Sequence, residues 1–582
     1  MLGAGQGLAG PGRGQTQSDD RAPIFQRGEK PRYGRMSMKE EARGTRSRGG
    51  AVAAVFAAFL SVSVCTGPAL AQAPREGGTV VFAHEQEPGT FNMFHPSGQS
   101  GAVAAVGGLI HAGTYKFPPT GGPVPFIIAK EAEVGSNPFS VTYTIRDDAK
   151  WNDGTPITAE DYAFTYRTIV DQKWTIANRR PYDLVTGFEI LGPKVIKFNF
   201  SASVPTYKLM FHVLLPKHDL EGKDWDTAWK DTVPVSNGAF KMGPWTKGQQ
   251  IVFQKNPHFW AGGTKLDRVV LRFVPETNTL LQLLRSGEID ASDPQPQPEI
   301  ISSVRNMPNI KIDAKTGLLS EFLRFNLKTP GLDKQYVRQA IVMGIDREAI
   351  VQQLMKPVDP NATPPQSWVF APGSPYFQPK YGALAYNPRA AIKLLEDNGC
   401  RRGSDQVFVC GGARLDFRYV STAGNERRQL TFEIVQAFLS QIGIRVRADF
   451  SQAAVQFGTR GPKGDYDLFN QGGLFEDPIA LGPFMRCDGT LNASGYCNRD
   501  LDQLMDRITV TADVPARAAL LNEMDAILAR DLPLFPVFGL PRMVVYNAAK
   551  VGGVNVSPNT DNGVGPGGWY WNWNAHELHL VR

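Results

Sequence analysis

Hydrophobic and polar positions along the chain change between a spacing of two and a helical spacing, which predicts strands and helices in alternation. Residues 79–83 alternate and predict a strand. Residues 141–170 predict a strand, a turn and then a helix whose N-cap is Thr158. The leucines between positions 280 and 284 predict a short helix that ends at Gly287. Strands that alternate with helices in this way are typical of an α/β protein.

The longest helical patterns lie in the region from about Leu318 to Leu532, between two β-rich regions. The segments with helical apolar spacing are residues 333–355, 387–399, 425–443 and 514–532. We therefore predict an inserted lobe, with two crossings between lobes near residues 322–327 and 533–538. The sequence has no repeat of fixed period, which disfavours a solenoid.

Residues 38–71 have the three parts of a secretory signal peptide. A basic segment is followed by the apolar run 51–64, and Ala69 and Ala71 give the small-x-small cleavage pattern. We predict export, with cleavage after Ala71. No other stretch reaches the roughly 18 uncharged apolar residues of a membrane helix, so we expect the mature chain to be soluble.

Two alternatives remain open at the N-terminus. Cys65 is a candidate for lipid modification, but Val64 before it is bulkier than the small residue that a lipoprotein signal prefers, so we favour cleavage without an anchor. Residues 1–37 are rich in Gly, Arg and Ser without an apolar period, and we interpret them as a disordered extension or a translated upstream region. The export prediction depends only on the residues from Met38 onward.

The net charge of +6 comes mostly from the N-terminus, which makes nucleic acid an unlikely partner. The chain has 62 Lys and Arg against 56 Asp and Glu, and residues 1–70 hold ten of the basic residues but only five of the acidic ones. The rest of the chain is almost neutral, so it carries no basic footprint for nucleic acid.

The four cysteines after the predicted cleavage site form two close pairs, Cys400 with Cys410 and Cys487 with Cys497. An even number of cysteines in an exported chain favours disulfides, and each ten-residue separation closes a small hairpin. The alternative is a metal site, but neither pair has Cys-x-x-Cys spacing or a nearby histidine. We predict two disulfides, no metal and no cofactor.

Five segments in order resemble one family, the peptide-type periplasmic solute-binding proteins of ABC importers, with oligopeptide-, dipeptide- and nickel-binding members. The segments are residues 77–92, 143–166, 237–260, 266–292 and 325–351. The resemblance extends over almost the whole mature chain, from about Gly77 to His579. It implies a class II, cluster C clamp of two α/β lobes with an additional third domain, closing over a ligand in the cleft between the lobes.

The resemblance also implies a domain organisation and partners. We expect lobe 1 to consist of residues 72–97, 228–317 and 539–582, with the additional domain at 98–227, and lobe 2 to consist of residues 318–538. We expect a periplasmic monomer that captures peptides or similar small solutes and delivers them to ABC permease subunits in the inner membrane.

The stretch FNQGGLFEDPIALGPF, residues 469–484, holds the main candidate contacts for a ligand. In peptide-binding members a strand ends in Gly-Trp-x-x-Asp, and the aspartate holds the α-ammonium of the peptide. The resemblance places Glu476 at that position and Gly473 at the position of the tryptophan, with Phe475 and Asp477 on either side of Glu476. A carboxylate pairs well with an ammonium. The alternative is an acidic loop in which Asp477 caps the following turn.

Two further side chains are candidate ligand contacts. Dipeptide-binding members carry an arginine for the peptide carboxylate where this chain has Val420, and Arg418 would share that face of a strand. Trp569, Trp571 and Trp573 alternate near the C-terminus, and Trp571 is the candidate aromatic contact; packing between lobes is an equally good interpretation.

Catalysis has little support in the sequence. The adjacent carboxylates at 476 and 477 point apart and cannot flank a glycosidic bond. No motif of a serine hydrolase, a zinc protease or a P-loop occurs, and His576 and His579 lack a third ligand. We predict no catalytic residue. The alternatives are a receptor for an oligosaccharide, an opine or a metal chelate on the same fold, and, from another class, a secreted hydrolase.

Overall fold

The computed structural model describes residues 74–119, 122–315, 317–475, 477–556 and 571–581. The predicted extension 1–37, the predicted signal peptide 38–71 and Cys65 lie outside these residues, as do Glu476, Trp569 and Tyr570. No helix in the described ranges is long and apolar enough to cross a membrane.

Lobe 1 is built on a seven-stranded mixed sheet. Its strands, in spatial order, are Ile310–Lys315, Arg542–Asn547, Ala291–Ser292, Thr79–His84, Arg268–Phe273, Gln250–Lys255 and Phe240–Thr246. The strand Thr79–His84 is parallel to both of its neighbours, whereas the outer pairs are antiparallel. Residues from three separate parts of the chain therefore meet in one sheet.

The additional domain is a four-stranded antiparallel sheet that shares a core with lobe 1. Its strands, in order, are Glu133–Ser136, Phe139–Thr144, Val195–Phe200 and Val185–Gly192. Tyr143 and Tyr162 of this domain belong to the same buried cluster as Phe82 and Leu271 of the lobe 1 sheet. A continuous core predicts that the two parts move together.

Lobe 2 is a five-stranded sheet covered by helices, with a separate core. Its strands, in order, are Arg445–Ser451, Asp416–Thr422, Leu468–Gly473, Ser320–Phe325 and Leu534–Gly539. The chain enters lobe 2 between Lys315 and Ser320 and returns to lobe 1 between Gly539 and Arg542. These two short connections are the places where a hinge can bend.

The helices begin and end at local signals in the sequence. The helix Ala159–Val170 begins after Thr158, whose backbone N–H donates to Asp161 at 2.8 Å, and the helix Thr277–Ser286 ends at Gly287 with φ +78°. The other α-helices are Gly101–Ile110, Lys217–Leu220, Pro298–Val304, Gln335–Gly344, Arg347–Ile350, Pro388–Asp397, Glu426–Gln441, Ala453–Val455, Gly461–Lys463, Pro478–Met485, Arg499–Val510 and Val514–Asp531. The remaining strands form short ribbons: Tyr115–Lys116 with Val124–Pro125, Arg401–Arg402 with Phe408–Cys410 and Ala413–Arg414, and Val551–Gly552 with His579–Leu580.

Both predicted disulfides are present, Cys400–Cys410 and Cys487–Cys497, each with a sequence separation of 10. The first closes the ribbon that follows the helix Pro388–Asp397, and both of its cysteines are buried. The prediction of two disulfides is confirmed.

We predict that the double substitution Cys400→Ser and Cys410→Ser lowers the free energy of unfolding by about 2–3 kcal/mol, because the open loop adds entropy to the unfolded chain. The measurement is urea unfolding of the wild type and the variant under non-reducing conditions. Reduced wild-type protein is the control for the loss of both bridges, and unchanged stability of the double variant would contradict the prediction.

Candidate functional site

A cavity of about 480 Å³ lies between the two lobes. Lobe 1 contributes His84, Asp293 and Arg542 to its wall, the additional domain contributes Asn178, Arg180 and Tyr182, and lobe 2 contributes Arg324, Arg428, Phe469, Gln471, Phe475 and Phe484. A volume of this size is typical of small-molecule sites, which are mostly apolar and carry a few convergent polar groups.

The strand Leu468–Gly473 presents one face to this cavity. Phe469, Gln471 and Gly473 alternate along the strand and all line the cavity. The strand leads into the helix Pro478–Met485, which adds Ile479, Ala480, Pro483 and Phe484 to the wall. The segment singled out in the sequence is therefore part of the cavity wall.

Gly473 lies against aromatic rings that leave no room for a side chain. A Cβ at this position would be 2.8 Å from Cε1 of Phe322 and 3.3 Å from the ring of Phe475. The Phe475 ring also packs on Trp368 and Phe484, with centroid distances of 5.7 and 5.5 Å. Phe322 and Phe475 thus occupy the space that a side chain at position 473 would need.

Asp477 caps the helix Pro478–Met485 and does not line the cavity. Its Oδ1 accepts a 2.8 Å hydrogen bond from the N–H of Ile479, and its Oδ2 pairs with Arg517. The side chain is 4% exposed. Its position does not support the predicted ligand contact and agrees instead with the alternative interpretation, an aspartate that caps the following turn. Glu476 lies outside the described residues, so its role as an ammonium contact stays a prediction.

Arg418 also lies outside the cavity wall. Its Nη1 is 2.7 Å from Oδ1 of Asp465, and its backbone N–H donates to Asp467 at 2.8 Å. Asp449 is a third acidic neighbour, at 3.7 Å. Because acidic side chains of its own lobe hold the guanidinium, this position does not support a ligand contact for Arg418.

Trp571 lies behind the cavity wall and orients a residue that lines it. Its ring stacks on Phe82 with a centroid distance of 3.8 Å, and its Nε1 donates to Oδ2 of Asp293 at 3.1 Å. Asp293 also bonds Nδ1 of His84 at 2.7 Å. Burial lowers the pKa of His84, but the Asp293 carboxylate raises it, and the net pKa lies above its ordinary value. Trp571 does not itself line the cavity, so this position does not support the predicted direct contact.

The described part of the cavity wall holds four arginines, Arg180, Arg324, Arg428 and Arg542, and sequence reasoning singled out none of them. Arg428 is buried and donates from Nε to Oε1 of Glu321 at 2.9 Å, while the neighbouring Arg427 donates to Oε2 of the same carboxylate at 2.9 Å. Burial raises the pKa of Glu321, but the two guanidinium groups together lower it by more than burial raises it. The net pKa therefore lies below its ordinary value. The adjacent arginines at the start of the helix Glu426–Gln441 were a signal that could have drawn attention to this cluster.

Hydrogen bonds connect the additional domain to lobe 2 at one side of the cavity. Asn178 donates to the carbonyl of Ile479 at 2.7 Å, and Thr490 donates to the carbonyl of Ala177. Arg180 pairs with Asp506 at 2.6 Å. Direct contacts between the lobes therefore border the cavity on this side.

A second set of contacts connects lobe 1 to lobe 2 at the opposite seam. Arg427 donates from its backbone N–H to Gln297 at 3.0 Å and from Nη2 to Gln295 at 2.7 Å. The N–H of Gln295 in turn donates to the buried carboxyl of Glu85 at 3.3 Å, and Thr277 donates to the same carboxyl at 2.9 Å. Burial raises the pKa of Glu85, and the two hydrogen bonds lower it by less, so the pKa is raised to about 7.

The described residues contain no group of three or more His, Cys, Asp or Glu side chains arranged to hold a metal ion. The side chains that line the cavity offer hydrogen-bond donors, charges and aromatic rings.

Comparisons with known proteins agree on one family. The family model described as "Bacterial extracellular solute-binding proteins, family 5 Middle" matches residues 123–490. The periplasmic oligopeptide-binding protein OppA of Escherichia coli (strain K12) is 24% identical over 431 residues, which cover 68% of this chain and 76% of OppA.

Solved structures of the same fold bind different ligands. The oligopeptide-binding protein AppA of Bacillus subtilis, in complex with a nonapeptide, has a TM-score of 0.77 at 21% identity and covers 88% of this chain and 100% of its own. NikZ from Campylobacter jejuni, in complex with Ni(L-His), has a TM-score of 0.75 at 21% identity and covers 86% of this chain and 99% of its own. The predicted two-lobe clamp with an additional domain is confirmed.

The raised pKa of Glu85 predicts a pH-dependent contribution to stability. Its folded-state pKa of about 7 lies above the ordinary value of 4.5, so the contribution is present below about pH 4.5 and is lost as pH rises through about 7. Glu85→Gln removes this pH dependence. It also changes the free energy of unfolding by an amount that is the same at every pH, because glutamine has one acceptor oxygen instead of two. We expect the melting temperature of Glu85→Gln, relative to wild type, to rise between pH 5 and pH 8.

The measurement is thermal unfolding of both proteins at pH 5, 6, 7 and 8. The exposed Glu133, which pairs with Lys130, supplies the control variant Glu133→Gln for the loss of one carboxylate. A difference between Glu85→Gln and wild type that stays constant over this pH range would show that the buried carboxyl does not titrate as described.

Proposed function

We propose a function from one premise: this chain belongs to family 5 of the bacterial extracellular solute-binding proteins. It captures a small solute between its lobes, and the closed form delivers the solute to the permease of an ABC importer. The observation that carries the proposal is the cavity of about 480 Å³ whose wall comes from both lobes and the additional domain. Because hydrogen bonds join the lobes across it, a bound solute is sequestered from water.

For the ligand class, we propose a short peptide or a solute of similar size. The homologue OppA is named for oligopeptides, and proteins of this fold bind ligands as different as a nonapeptide and Ni(L-His). The aromatic rings of Phe469, Phe475 and Phe484 give this cavity apolar surface, and its arginines give it charge. Glu476 remains the proposed contact for an ammonium group. Binding proceeds without turnover, and a ligand recovered in altered form would contradict this part of the proposal.

We also propose that residues 38–71 act as a signal peptide and that the protein works in the periplasm as a monomer. If so, protein secreted by its native host has Gln72 as its first residue. The measurement is the intact mass of the purified protein, with peptide mapping of its N-terminus. A chain that begins at an acylated Cys65 would establish the lipid-anchored alternative instead.

The ligand class is tested by thermal shift of residues 72–582, after unfolding and refolding to remove any solute that copurifies. Defined pools of dipeptides to pentapeptides, oligosaccharides, opines and metal chelates serve as probes. We expect a shift that grows with the concentration of a peptide pool. A shift with only one of the other pools would replace the peptide proposal by that ligand class.

Lobe closure is tested with Thr490→Val, which removes the hydrogen bond to Ala177 without changing a residue that lines the cavity. Closure then loses one bond worth about 0.5–1.5 kcal/mol, so we expect affinity for the stabilising pool to fall about 2- to 10-fold. The measurement is isothermal titration calorimetry. Thr509→Val is the matched control, because Thr509 bonds Met505 within a lobe 2 helix. Equal affinities of the two variants would contradict a closed ligand-bound form.

A further inference from the structure

We infer that Arg324 binds a carboxylate of the ligand, so that the solute of this protein carries a negative charge. This inference rests on the proposed function, since it requires that the cavity between the lobes is the ligand site. It assigns a specificity residue and a chemical class to that site.

Arg324 is a buried cation that lines the cavity, and the described residues give it no anionic partner. The residue is 3% exposed and lies on the strand Ser320–Phe325. In the described part of the chain, no carboxylate lies within ion-pair distance of its guanidinium, and its Nε has no hydrogen-bond partner. A buried charge without a partner is costly unless something else supplies the opposite charge.

Three aromatic rings hold the guanidinium in place. Its Cζ lies 5.0 Å from the ring centroid of Tyr466, 5.1 Å from that of Phe469 and 5.6 Å from that of Phe484. Phe469 and Phe484 line the cavity beside it. The rings orient a planar group that has several N–H donors and matches a carboxylate in geometry.

Other buried arginines of lobe 2 have acceptors within the protein. Arg427 and Arg428 share Glu321, Arg338 donates to backbone carbonyls that include that of Leu332 at 2.7 Å, and Arg347 donates to that of Pro365 at 2.7 Å. Arg324 differs from these four in that the described part of the chain provides no acceptor for its Nε. This contrast distinguishes a binding residue from a structural arginine.

The charges around the cavity favour the same ligand class. The described lining contains four arginines and a single carboxylate, that of Asp293. Asp293 already bonds His84 and Trp571. Arg180 and Arg428 have carboxylate partners outside the lining, Asp506 and Glu321. Arg324 is therefore the arginine of this wall on which the inference of an anionic solute rests. The carboxylate can belong to the C-terminus of a peptide or to a non-peptide acid.

The first test needs no ligand. Replacing Arg324 by methionine removes an unpartnered buried charge, so we expect the refolded, ligand-free variant Arg324→Met to melt about 2–4 °C above wild type. Arg428→Met is the matched control: Arg428 is equally buried and lines the same cavity, but its loss removes one of the two partners of Glu321, so this variant melts below wild type. A fall in the melting temperature of Arg324→Met would show that its ring contacts are structural and would overturn the inference.

The second test compares ligands by isothermal titration calorimetry. The probes are dipeptide to pentapeptide pools as free acids, the same pools as C-terminal amides, and EDTA as a non-peptide acid. We expect wild type to bind a free acid in preference to the amide, and Arg324→Met to lose about 10- to 100-fold in affinity for that acid. Binding of EDTA but of neither pool supports the carboxylate contact with a non-peptide source.

The outcomes separate the inference from the function on which it rests. If acids and amides bind wild type equally and Arg324→Met retains that affinity, the solute-binding function stands and the carboxylate contact is overturned. If these probes and the ligand pools described above all fail to stabilise wild type, the proposed function fails, and a lowered melting temperature of Arg324→Met also removes the basis for an anion site.

Discussion

A buried carboxylate, that of Glu321, pairs with two arginines, one of which lines the cavity while the other contacts lobe 1. Glu321 accepts hydrogen bonds of 2.9 Å from Arg427 and Arg428, and all three side chains are almost fully buried. Loss of one partner from such a group leaves an uncompensated charge and typically costs about 3–5 kcal/mol. Because Arg428 lines the cavity and Arg427 contacts Gln295 of lobe 1, the same charges position the binding surface and the contact between the lobes.

The strand Ser320–Phe325 combines two buried charges in different states. Glu321 has its acceptors filled by two arginines, whereas Arg324, three residues later, has no acid to bond in the described structure. The strand also begins just after the chain enters lobe 2. The ion-paired Glu321 stabilises the contact between the strand and the helix Glu426–Gln441. The guanidinium of Arg324 on the same strand is available for a ligand.

Features that depend on neighbouring residues could be predicted from the sequence, and features that depend on distant ones could not. The caps at Thr158 and Gly287 and the pairing of cysteines ten residues apart follow from local chemistry. The same is true of Asp477, whose capping role follows from an aspartate before a proline. The position of Arg418 could not be predicted, because Asp449 and Asp465 are distant from it in sequence and contact it only in the fold. Arg324 lies in a buried strand, and the sequence alone does not show that the described residues offer its guanidinium no carboxylate.

Closure of the lobes makes Arg324 selective for anionic over neutral solutes. Water in the cavity solvates the exposed edge of the guanidinium only in part, and it weakens the discrimination between charged and neutral solutes. Closure removes that water, so an ion pair with the solute becomes stronger, and a neutral solute leaves Arg324 buried without a partner. Arg324 belongs to lobe 2, whereas Asp293 and His84 face the same cavity from lobe 1. Selection for an anionic solute and formation of the closed shape therefore share one physical cause, the desolvation of an arginine to which the described residues offer no carboxylate.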